Sequence, residues 1–96
     1  MHVISEKALR SFWARHPSAE KPLRAWCRVA RQSQWTTFAE LRLTYPAADL
    51  VGKFIVFNIS GNRFRLIAVV HFSRAKVYIR RVLTHEEYDN GDWKED

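Results

Sequence analysis

Three segments in the second half of the chain, Lys53 to Ile59, Arg63 to Phe72 and Lys76 to Leu83, are rich in β-branched and aromatic residues. Only Ser60-Gly61-Asn62 and Ser73-Arg74-Ala75 separate them. Connections this short join antiparallel neighbours, because a parallel crossover needs a dozen or more residues. The chain is thereby held to an antiparallel meander. Along the middle segment Phe64, Leu66, Ala68, Val70 and Phe72 share one face, and Arg63, Arg65, Ile67, Val69 and His71 share the other. The first face is wholly apolar and needs a cover. The second opens with two arginines and is expected to be the less buried one.

The cover comes from the first half. His2-Val3-Ile4 fits a short edge strand. Ser5 is placed to cap a helix whose stripe of Ala8, Leu9, Phe12 and Trp13 runs to about Arg15, where His16-Pro17-Ser18 interrupts it. Ser18 is expected to cap a second helix that tolerates Pro22 in its first turn. Leu23, Trp26, Cys27 and Ala30 form the apolar face of that helix, which reaches about Gln32. Thr37-Phe38-Ala39-Glu40 fits a capping box and a short helix to Arg42 or Leu43; Tyr45 to Asp49 is expected to be a loop. Thr84 caps a last helix from His85 to about Asn90, stopped by Gly91. The expected fold is α+β in a single domain, residues 1–96: an N-terminal strand and helices packed on one face of a mostly antiparallel sheet.

Sixteen Lys and Arg face ten Asp and Glu, a net charge of +6. The acids gather late, at Glu86, Glu87, Asp89, Asp92, Glu95 and Asp96. Up to residue 85, fifteen basic residues against four acidic ones leave +11. Such a body attracts polyanions, nucleic acid or anionic membrane, or an acidic protein segment. Cys27 is the single cysteine, which excludes an intrachain disulfide and a cysteine-rich zinc site. No signal peptide and no apolar run of membrane-spanning length is visible. The expected location is a reducing cytoplasm.

The residues able to do chemistry meet at one end of the sheet. In a meander the start of the long strand lies beside the end of the next, so Arg63 and Arg65 are expected near Thr84 and His85, with Tyr88 one helical turn further on. RNA cleavage without a metal needs a base for the ribose 2′-OH, an acid for the 5′ oxygen, and cations on the phosphorane. His85 fits acid or base. Arg65 fits a bidentate phosphate clamp. Tyr88 fits a base stack or a proton relay. Asn62 and Thr84 are more simply turn and cap residues. Arg80 and Arg81 are expected to face opposite ways, and Lys53 belongs with the cations or stands at the far end of the sheet.

Each residue also has a plainer reading. His85 fits a surface residue at a helix start, Arg65 a solvated strand arginine or the partner of a C-terminal acid, and Tyr88 a packing residue at the sheet edge. His71 reads as structural, and His2 and His16 have no partner at metal-ligand spacing. Trp13, Trp26 and Trp35 read as core, whereas Trp93 is a candidate partner-facing anchor.

The opening His2-Val3-Ile4-Ser5, the run Tyr45 to Asp49, Phe57-Asn58-Ile59-Ser60-Gly61-Asn62-Arg63-Phe64-Arg65-Leu66, and Tyr78-Ile79-Arg80 with Thr84-His85-Glu86-Glu87-Tyr88-Asp89 resemble the HigB toxins, a branch of the RelE-like toxins of type II toxin–antitoxin systems. The resemblance runs in order along essentially the whole chain. It implies a RelE-like fold and a ribosome-dependent endoribonuclease that cuts mRNA without metal or other cofactor and leaves a cyclic phosphate. It also implies a cognate HigA-like helix-turn-helix antitoxin. Carried over residue by residue, it implies Arg65, His85 and Tyr88 as catalytic, with Arg63 and Arg80 next; Arg81 and Lys53 join these two as candidate RNA-binding cations. Glu86 or Glu87 would supply the separate carboxylate base that some branches use. The competing reading is a noncatalytic RNA- or ribosome-binding module, in which the same cations hold phosphate and His85 is only a cap.

Overall fold

The computed structural model describes residues 1–95; Asp96, the last residue of the acidic tail, lies outside the described residues. The elements are β1 (His2–Ile4), α1 (Glu6–Arg15), α2 (Glu20–Gln32), α3 (Phe38–Thr44), β2 (Asp49–Val51), β3 (Phe54–Ile59), β4 (Phe64–His71), β5 (Lys76–Thr84) and α4 (His85–Asn90), with a closing 3-10 turn Asp92–Glu95. One five-stranded sheet has the order β1-β5-β4-β3-β2. The meander β3-β4-β5 is antiparallel as expected. β1 adds to it in parallel, with Val3 opposite Val77. β2 adds to the other edge through a two-residue turn, Gly52-Lys53, where Gly52 takes φ 59°. Asp49 thus begins a strand where a loop was expected. Two residues of positive φ, Ser60 (54°) and Gly61 (66°), make the β3–β4 turn.

The helices pack on the face that carries Phe64, Leu66 and Ala68. The predicted stripe of α2 is buried at Leu23, Trp26, Cys27 and Ala30, and joins Leu9, Phe12, Ile55, Phe57, Val77 and Val82 in the main core. Trp26 and Trp35 are core and Trp13 packs against it, as expected. The caps divide. Thr84 and Glu87 complete a capping box on α4, and Gly91 (φ 79°) ends that helix. Thr37 accepts from the Glu40 amide at 3.1 Å, and the Glu40 carboxylate accepts from the Thr36 amide and hydroxyl. Ser5 stands at an N-cap without a side-chain bond. Ser18 lies in a 3-10 turn ahead of α2, and its hydroxyl accepts from Arg63 instead.

The second face is not left open. After Gly91 the chain folds back across the β3 side of the sheet and seats Trp93 on Phe54, Val56 and Ile67. Trp93 is 2% exposed, so it is a core residue and not a partner-facing anchor. Its ring meets Phe54 edge-on at 5.9 Å, and its Nε1 donates to the Tyr88 carbonyl at 3.0 Å. A buried aromatic of this kind contributes about 3–5 kcal/mol against alanine.

A bulge in β5 overturns the alternation expected for the paired arginines. Ile67 faces Arg81, yet the next β4 residue, Ala68, faces Ile79, which leaves Arg80 as an extra residue. Val77, Ile79 and Val82 all point into the main core. No continuous alternation puts 79 and 82 on one face. Arg80 and Arg81 therefore both lie on the second face, with Leu83 beyond them.

Candidate active site

Arg65 stands on β4 between Asn58 and Leu83, on the second face as parity requires. It is not solvated: at 8% exposure it is the buried charged residue among those described. Burial of a guanidinium is tolerable only when its donors are used. Nη1 donates to the carbonyls of Asn62 (2.9 Å) and Phe64 (3.2 Å), and Nη2 donates to Asn62 Oδ1 at 3.5 Å. The guanidinium carbon lies 5.2 Å from the centre of the Tyr88 ring, and Tyr88 in turn stacks on Trp93 at 5.1 Å and 15°. The second core thus fixes Tyr88, and Tyr88 closes over Arg65. The plain reading of Tyr88 as packing describes this contact well. The reading of Arg65 as an open bidentate clamp does not fit, because its fork is turned inward.

His85 completes the group. Its backbone amide donates to the Arg63 carbonyl at 3.0 Å, which continues the sheet pairing into the first residue of α4. Its Nδ1 lies 3.4 Å from Arg65 Nη2, and its Nε2 lies 3.1 Å from Asp89 Oδ2, one helical turn on. A guanidinium has no acceptor, so Nδ1 must present its lone pair to Arg65. The ring proton then sits on Nε2 and points to the Asp89 carboxylate. Arg65 and Asp89 together favour a ring whose Nε2 proton points toward Asp89.

A hollow of about 320 Å³ opens beside this ring, lined by Arg63, Phe64, Thr84, His85 and Glu86. Arg63 does not share the face of Arg65. It precedes the paired part of β4, lies over the Phe64 ring (5.3 Å), and donates to Ser18 Oγ at 3.1 Å on the helical side. It still forms one wall of the hollow opposite His85. Of the two adjacent carboxylates, Glu87 is used by the Thr84 cap (2.9 Å), whereas Glu86 lines the hollow. Arg80 and Arg81 are exposed on the second face below the corner. Lys53, in the β2–β3 turn, adjoins Phe54 at the end of the sheet away from Arg65 and is not brought to the site.

Asp89 and Asn62 carry more of this geometry than the sequence reading assigned to them. The signal for Asp89 was available: it stands four residues after His85 on one helix face. His71 is exposed, edge-on to Tyr78 at 5.1 Å, and His16 stacks on Phe12 at 4.5 Å. Burial pushes the Cys27 thiol up, which keeps it protonated and unsuited to nucleophilic work. Tyr45 is also raised, by burial first and by neighbouring Cys27 second. Among the described residues no three His, Cys, Asp or Glu stand together as a metal site, and no helix is long and apolar enough to cross a membrane.

The pattern of the HigB toxins, the RelE-like toxic component of a toxin–antitoxin system, matches residues 19–91. The chain is 35% identical over 92 residues to the mRNA interferase toxin HigB of Escherichia coli K12, covering 93% of this chain and 88% of that protein. The mRNA interferase HigB of Shigella flexneri matches to the same extent. The mRNA interferase HigB of Escherichia coli O6:H1 is 27% identical over 92 residues, covering 93% and 89%.

Proposed function

Because the chain belongs to the HigB toxin family, we propose that it is a metal-independent endoribonuclease that cuts mRNA on the ribosome and so stops translation. Its site is the corner of Arg65, His85 and Tyr88 with the hollow between Arg63 and Glu86. A HigA-like helix-turn-helix protein neutralises it, and it acts in the cytoplasm. The observation that carries the reading is the placement of His85, with Nδ1 3.4 Å from buried Arg65 and Nε2 3.1 Å from Asp89. With Nδ1 turned to a buried cation, the ring offers a substrate its Nε2–H.

That fixes the division of labour. Arg65 is held by other bonds as well and cannot leave; Asp89 is exposed and can. An entering phosphodiester displaces Asp89, and Nε2–H then bonds to the departing 5′ oxygen. Glu86 takes the 2′-OH proton, and the 2′ oxygen attacks phosphorus. The P–O5′ bond breaks as His85 gives its Nε2 proton to the 5′ oxygen; the ring regains a proton from solvent, Glu86 releases the 2′-OH proton to solvent, and a 2′,3′-cyclic phosphate and a 5′-hydroxyl are left. Arg63, with the field of Arg65, opposes the charge that grows on the phosphorane.

Induction of the chain without antitoxin should arrest growth and produce discrete mRNA cuts, and His85→Ala should abolish both while the protein stays folded. Adding ribosomes to purified protein and mRNA should be required for cleavage. Unchanged growth and intact transcripts with folded, antitoxin-free protein would reject the activity. The noncatalytic reading draws on one fact, that both ring nitrogens of His85 are occupied. It requires salt-dependent RNA or ribosome binding with no cut in any ribosomal state.

A further inference from the structure

The C-terminal fold-back covers the β3 side of the second face and stops short of β5 and β1. There a separate hollow of about 330 Å³ is lined by Ile4, Ser5, Val69, His71, Tyr78 and Arg80, with Ile79 between the last two. The His71 and Tyr78 rings stand 5.1 Å apart at 79°, so two π surfaces meet at a right angle. Ile4 and Val69 give the hollow an apolar floor, and both rings are at least partly solvent-exposed. The β5 bulge adds something alternation alone could not: Arg80 and Arg81 emerge side by side on this face, between the hollow and the His85 corner.

We propose that this hollow is a nucleobase subsite, taking one unstacked base of single-stranded RNA whose backbone runs over Arg81 and Arg80. This rests on the reading of the chain as an RNA-cutting toxin and deepens it. An apolar floor with two aromatic walls suits the flat face of a base, and a rim of guanidinium groups suits the phosphates that flank it. Tyr78 lies six residues up β5 from Thr84, about 20 Å at strand spacing. That separates the subsite from the scissile bond by a few nucleotides of extended strand. Its work is to hold register, so that the phosphate meeting His85 is set by a base bound elsewhere.

The test uses the full chain and short single-stranded 2′-O-methyl RNA, which binds but cannot be cut. An abasic residue is walked along the oligonucleotide, and affinity is read by fluorescence anisotropy. One position should cost about tenfold or more with the wild-type protein, the range of a lost base–aromatic stack. The same position should cost nothing further with Tyr78→Ala, while Tyr78→Phe behaves as wild type. If no abasic position matters, or if its cost is the same in Tyr78→Ala, or if the oligonucleotide does not bind, the subsite is overturned. The cleavage reading is judged separately, by mRNA cuts with wild type and their loss in His85→Ala. The abasic series on wild-type protein needs no variant to fold.

Discussion

Arg65 Nη2 lies 3.4 Å from His85 Nδ1, and that contact joins a buried charged side chain to the imidazole at the mouth of the hollow. The cation sits on the imidazole's acceptor side. It therefore sets which nitrogen carries the proton, and it does so from a position that the Asn62 and Phe64 carbonyls and the Tyr88 ring make rigid. In the proposed mechanism Arg65 acts as a positioning residue for His85 more than as a ligand for phosphate.

Arg65→Lys tests that distinction. Lysine keeps the charge but has a single ammonium, which cannot serve Asn62, Phe64 and His85 together. Cleavage should fall roughly 100-fold, the scale of a misplaced catalytic group, while RNA affinity changes little. If lysine restores full cleavage, the charge alone matters and the positioning role is wrong. Urea denaturation should show a loss of about 1–3 kcal/mol for buried carbonyls left without a donor.

His85 is assigned to the departing oxygen, and a modified substrate can check this. With sulfur in place of the 5′ oxygen the leaving group needs no proton. His85→Ala should then cut the thio-substrate at close to the wild-type rate, although it fails on ordinary RNA. Asp89→Asn should keep the thio-substrate rate and lower the oxygen-substrate rate by roughly tenfold, since it loosens the ring without removing it. A His85→Ala defect that sulfur leaves untouched would move His85 to another step.

The neighbouring acids should separate cleanly. Glu86→Gln should depress cleavage by roughly 10²-fold or more at unchanged stability, as expected for a lost general base. Glu87→Gln should lower stability by about 0.5–1 kcal/mol through the weakened Thr84 capping box and leave the chemical step nearly intact. Single-turnover kinetics together with urea midpoints distinguish the two, and the reverse pattern would exchange their roles.

Much of this molecule was legible because its signals are local. Two short turns dictated the meander, i, i+3, i+4 spacing dictated α2, and Thr84 announced α4. What escaped was non-local or depended on unbroken alternation. One bulge brings Arg80 and Arg81 to the same face, and nothing in Tyr78-Ile79-Arg80-Arg81-Val82 advertises it. Arg63 fails the parity argument because it sits in the turn, before pairing begins at Phe64. Trp93 looked exposed because its partners Phe54 and Ile67 lie far back in the chain. Its fold-back is also what buries Arg65's neighbourhood, so the misreading of Trp93 and that of Arg65 as an open clamp share one cause.

The cap of α3 supplies a pH dependence remote from the site. Hydrogen bonds from the Thr36 hydroxyl and amide, both 2.6 Å, hold the Glu40 carboxyl below its ordinary value of 4.5. A carboxyl lowered in the folded state binds its proton more readily when unfolded. It therefore adds stability that is full above the unfolded value and is lost as the pH falls through the folded one. Glu40→Gln should lower the urea midpoint at neutral pH, and the gap to wild type should close as the pH falls through the lowered folded value. Because Glu40 lies at the surface, the gap should be small and shrink further in high salt. A gap that persists undiminished in acid would mean the glutamine perturbs α3 by its shape, not by the lost charge.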